Sequence, residues 1–65
     1  MNVTSSIGRI PTRTVHVADV APTDTKDDIL NVALSYTGET RNSCFGWTVD
    51  TDEGSGTSVV RLFTD

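Results

Sequence analysis

Cys44 and His16 are the two side chains best suited to nucleophilic chemistry, and the chain has one of each. A cysteine nucleophile needs a base within hydrogen-bond reach and a third group to orient that base. Strand alternation puts Cys44 and His16 on one sheet face, but no glycine-rich oxyanion segment or nucleophile elbow accompanies them. The pair therefore reads as a half-exposed strand histidine and a small, mostly buried cysteine. Asp50-Thr51-Asp52-Glu53-Gly54 has the look of an opening calcium loop. Such a loop requires a bidentate Glu at its twelfth position, and the twelfth residue from Asp50 is Arg61. The segment reads instead as a solvated hairpin tip. No catalytic residue, metal ligand set or cofactor site is expected.

Charge offers a different chemistry. Asp24, Asp27 and Asp28 cluster at the start of a predicted helix, and Asp50, Asp52 and Glu53 cluster at a predicted hairpin tip. Helix capping and solvation account for part of these acids. The remainder forms an acidic surface fitted to a basic protein patch, which raises association rate more than affinity. Arg13 and Arg61 are expected on neighbouring strands. With an aromatic, that pair is the case for single-stranded nucleic acid, but five cations against nine acids oppose phosphate binding. Trp47 reads as a core anchor against Leu30, Ala33 and Leu34. In the inverted register it becomes an interface hot spot.

These residues need elements to position them. Residues 1–12 read as an N-terminal arm punctuated by Ser5, Ser6, Gly8 and Pro11 and anchored by Ile7 and Ile10. Such an arm lies over the core edge or pairs with a neighbour. Residues 13–20 alternate, with Val15 and Val17 on one face and Thr14 and His16 on the other, and Ala21-Pro22 closes the strand. Residues 26–37 predict a helix. Thr25 is its N-cap, Asp28 completes a capping box, Ile29, Leu30, Ala33 and Leu34 form the inward stripe, and Gly38 ends it. Residues 44–50 alternate, with Phe45, Trp47 and Val49 on one face and Cys44, Gly46, Thr48 and Asp50 on the other. Residues 57–64 follow after a glycine-bearing turn, so the two strands form a hairpin. Either Val60 with Leu62 or Val59 with Phe63 faces the helix.

The fold class that follows is α+β, a single domain over 13–65 with order β-α-β-β. One helix packs on a three-stranded, mostly antiparallel sheet of spatial order 1-3-2 with a right-handed crossover. The last strand is the most apolar and takes the centre. The helix covers one face. The other carries Thr14, His16, Cys44 and Thr48, with Val59 and Phe63 in one of the two registers. Thr occurs eleven times, in keeping with a sheet-rich chain.

At 65 residues and a net charge of −4, the chain is one domain near the lower limit of independent folding. Its apolar fraction of 35% is thin, so burial gained by association is a physical expectation. Residues 1–18 carry +2 from Arg9 and Arg13, residues 19–39 carry −4, and residues 40–65, Asp65 included, carry −2. No run of eighteen apolar residues spans a membrane. No apolar segment follows a positive start, so no secretory leader is expected. One cysteine excludes an internal disulfide and points to a reducing compartment.

A short reading frame from Met1, no targeting segment, no catalytic set and a surplus of acid together give the chain its character. In these it resembles the small acidic one-domain proteins encoded by bacteriophages and other mobile elements. The resemblance implies a protein that binds and disables a host or defence protein, in the cytoplasm of a bacterial host. The functional expectation is a non-enzymatic protein-binding module. Its partner is a larger protein, basic or handling nucleic acid, and its site comprises Asp50, Asp52, Glu53, Thr48, His16 and Arg61. The alternative is a homodimer through the open sheet face or a strand edge. Neither reading involves nucleic acid directly, or a membrane.

Overall fold

Twelve residues from Lys26 to Thr37 form the single helix, α1, of the computed structural model, which describes residues 1–8 and 12–64. The local chemistry explains its limits. The Asp28 N–H donates to Thr25 Oγ1 (3.1 Å) and the Thr25 N–H donates to Asp28 Oδ2 (3.2 Å), a complete capping box. Gly38 stops the helix in the left-handed region (φ 77°). Ile29, Leu30, Ala33 and Leu34 are its buried residues, the stripe anticipated from their spacing.

The described residues also form four strands: β1 (Asn2–Gly8), β2 (Thr12–Ala18), β3 (Gly46–Asp52) and β4 (Thr57–Phe63). They form one sheet of order β1-β2-β4-β3, and every neighbouring pair is antiparallel. This corrects the three-stranded, β-α-β-β expectation. The architecture is β-β-α-β-β, and residues Asn2–Gly8 are its first strand, not an arm. The reason lies in how β1 is held. Six of its seven residues are exposed and only Val3 packs against the core, so no burial pattern marks it. Its ladder to β2 supplies the order. Arg9, Ile10, Pro11 and Asp65 lie outside the described residues, and with them the second anchor expected of the arm.

Strand β2 ends earlier than the proline implies. Asp19 adopts φ 58°, the left-handed region, and turns the chain after Ala18. Aspartate tolerates this conformation better than most residues. Its Oδ2 accepts a hydrogen bond from Asn2 Nδ2 at 2.8 Å, which ties the start of β1 to the end of β2.

The sheet register settles which side chains face the helix. Val15 pairs with Val60 and Val60 with Val49; Arg13 pairs with Leu62 and Leu62 with Trp47. Directly opposed residues share a face. Val15, Val17, Val60 and Leu62 therefore meet Ile29, Leu30, Ala33, Leu34 and Cys44 in one buried cluster, with Val3, Val20 and Val49 packed at its margin. Val60 and Leu62 point inward; Val59 and Phe63 do not. No helix of the described residues is long and apolar enough to cross a membrane.

Candidate functional site

The face of the sheet opposite α1 has no cover among the described residues. Its composition follows from the register. One row across the strands runs Ile7, Thr14, Arg61, Thr48, and the next runs Ser5, His16, Val59, Asp50. Beyond them Thr12, Phe63 and Gly46 line up. The face is mixed: Ile7 is 49% exposed, Val59 and Phe63 are half-buried, and hydroxyls and charges lie between them. Arg61 Nη1 donates to Asp50 Oδ2 at 3.0 Å, a diagonal pair between the two strands of the hairpin. Both side chains are open to solvent, so the pair orients two charges and adds little stability.

Phe45 extends this face where sequence alternation had placed it in the core. The chain bends at Phe45 and β3 begins at Gly46, so the alternation does not continue backwards past that point. The Phe45 N–H donates to the Phe63 carbonyl (3.0 Å), and the two rings meet at 6.2 Å between centroids, tilted 36°. Phe45 is 72% exposed, while Cys44 turns inward and is buried. His16 and Cys44 therefore lie on opposite faces of the sheet, which corrects their expected shared face and separates the nucleophile–base pair.

Trp47 lies on the helix side with Val49, as its spacing suggested, but on an edge strand it stays 38% exposed. The Arg41 guanidinium stands 5.7 Å from its ring centroid. Arg13 and Arg61 sit on adjacent strands yet on opposite faces, because Arg13 is paired with Leu62. Arg13 Nε instead lies 3.5 Å from Glu39 Oε1 on the helix side. The two cations thus form no common patch.

The acidic tip is built by the hairpin loop. The Gly56 N–H donates to the Asp52 carbonyl (3.0 Å), and Gly56 takes φ 67°, which an L side chain rarely adopts. The Gly54 N–H donates to Asp52 Oδ1 (3.0 Å). The Val20 N–H donates to the Gly56 carbonyl (2.9 Å), which fastens the tip to the end of β2. A cleft of about 370 Å³ opens between them, walled by Val20 and Pro22 and carrying Asp24, Asp52 and Glu53. Asp24 Oδ2 accepts from the Ala21 N–H (2.7 Å), so two of the three carboxylates are oriented by backbone. The cleft suits the stem and head of a lysine or arginine. Among the described residues, no group of three or more His, Cys, Asp or Glu side chains is placed to hold a metal ion.

The structure therefore brings His16, Thr48, Asp50 and Arg61 onto one face and sets Asp52 and Glu53 at its end. Asp50 is engaged by Arg61, whereas Asp52 and Glu53 make no salt bridge among the described residues. The sequence reading missed Ile7, Phe45 and the role of Asp24. Asp24 carried a signal, since an Asp three residues after Ala21 can reach back to the Ala21 N–H, as the acid of a capping box does. Comparison with family models, with curated proteins and with solved structures found no match to this chain.

Proposed function

We propose that this protein is a non-enzymatic binding module that engages a larger, basic partner protein through the open sheet face and the acidic hairpin tip. The observation that carries the reading is a pair of surfaces that share Asp52. The sheet face opposite α1, mixed apolar and polar and without cover among the described residues, ends at Asp52, and the cleft beside the hairpin tip holds Asp24, Asp52 and Glu53. Apolar side chains on such a face supply contact area, and the carboxylates steer and orient a cationic partner. His16, Thr48, Asp50 and Arg61 are the polar contacts of the face; Asp52 and Glu53 make no salt bridge among the described residues. The resemblance to small acidic proteins of mobile elements makes the partner a host or defence protein in a bacterial cytoplasm, blocked by occupation of its surface.

The test is affinity capture from a bacterial lysate, identification of the bound protein by mass, and amide chemical-shift mapping of the purified complex. Shifts concentrated on Thr14, His16, Thr48, Asp50, Val59 and Arg61 support the reading. Shifts confined to the outer side of α1, or no protein retained above control, refute it.

A second reading, self-association, is favoured by a separate observation. The sheet has two open edges, β1 and β3, and they are not alike.

A further inference from the structure

A sheet edge presents unpaired N–H and C=O groups, and what satisfies them is another strand. The two edges of this sheet differ in how they are guarded. Strand β3 carries Asp50 and Asp52, and Arg41 lies over its Trp47. Charges of this kind deter pairing. Strand β1, Asn2–Gly8, carries no charged side chain and no proline. Its one irregularity, a register shift between Val3 and Ser5, leaves Ser5–Gly8 as a regular run. This strand is exposed on both faces apart from Val3, and a single ladder holds it. Ordering seven residues has a backbone-entropy cost that little burial offsets here, so this strand gains from a second ladder.

We infer that β1 is a homodimer interface, pairing antiparallel with β1 of a second copy to join two four-stranded sheets into one of eight. The inference rests on the self-association reading and selects the edge over the face. Charge decides the occupant. Self-pairing of β1 sets no like charges opposite each other, although each copy carries −4. Self-pairing of β3 would crowd four aspartates, two from each copy. Symmetry supports the same choice. A two-fold axis normal to the sheet consumes both unguarded edges, and the only edges left outside are the two guarded β3 strands, so assembly stops at two. The axis also keeps both helices on one side and merges the two open faces. With Ser6 or Ile7 on the axis, Ile7 comes within cross-strand reach of its counterpart, and its half-exposed side chain gains an apolar neighbour.

An edge this short buries less than the roughly 1,200–2,000 Å² of a standard interface, so the dimer is concentration-dependent. The experiment is sedimentation equilibrium of the full chain from micromolar to millimolar concentration, with charge variants at Ile7. Wild type is expected to move from 7.0 kDa towards twice that mass. Ile7→Lys and Ile7→Glu should each weaken association by about tenfold, and their equimolar mixture should restore it. Circular dichroism confirms that each variant keeps its fold. Because Ile7 also lies on the open face, Thr48→Lys at the far edge of that face serves as the control and should leave association unchanged. A wild type that stays monomeric at millimolar concentration overturns the inference, as does a monomer that accepts a strand of another protein at β1. A dimer broken by Thr48→Lys, whether or not the Ile7 variants also weaken it, overturns the edge while leaving a face-to-face dimer standing.

Discussion

Asp19 shows how a single side chain can set the end of a strand. Its φ of 58° lies where only glycine is free of strain, and its carboxylate is held by Asn2. A β-branched replacement there meets its own carbonyl. Asp19→Val should lose about 1–3 kcal/mol of stability in a urea titration, while Asp19→Gly should stay within about 1 kcal/mol of wild type. The same scale shows where reading by alternation works and where it fails. Val15, Val17, Ile29, Leu30, Ala33 and Leu34 are buried as their spacing implies. Cys44 and Phe45 are exchanged relative to the alternation of β3, because the bend at Phe45 resets which side each residue faces. Nothing in the local sequence marks that bend except Gly46, which begins the strand.

Of the elements, α1 is the one whose limits are written in its own residues. The cap, the acidic first turn of Asp27 and Asp28, and the left-handed Gly38 are all local signals. Thr25→Ala removes the side-chain half of the capping box and should cost about 1 kcal/mol by thermal or chemical denaturation, with Thr25→Ser close to wild type. Strand β1 is the opposite case. Its sequence, Asn-Val-Thr-Ser-Ser-Ile-Gly, has no period, and its order comes from hydrogen bonds to β2 that depend on β2 already being in place. An element stabilised by pairing and not by burial leaves no hydrophobic signature.

Across the whole molecule, the surplus of acid is unevenly committed. Asp27 lies 3.8 Å from Arg41, Asp50 is held by Arg61, and Glu39 faces Arg13. Asp52 and Glu53 remain at the end of the open face beside the cleft that also holds Asp24. Removing the free charges should therefore matter more than removing the paired one. For a basic partner, Asp52→Asn with Glu53→Gln should slow association by on the order of tenfold at low salt and flatten its salt dependence. Asp50→Asn alone should change the rate by less, since it removes one negative charge where the double variant removes two. Stopped-flow or surface-binding kinetics at several ionic strengths reads both. Equal effects from the two variants would place the steering charge elsewhere.

By itself the sequence determined the helix, its caps and buried stripe, the inward pair of β2, the hairpin and the acidic tip. Each of these rests on contacts between residues close in the chain or on a strict period. Only the tertiary structure decided that Asn2–Gly8 is a strand, that Val60 and Leu62 face the helix, that His16 and Cys44 are on opposite sides, and that Arg61 reaches Asp50. Those outcomes depend on strand register, and a shift of one residue moves every side chain to the other face. Register is fixed by pairing between distant segments, which no local pattern encodes.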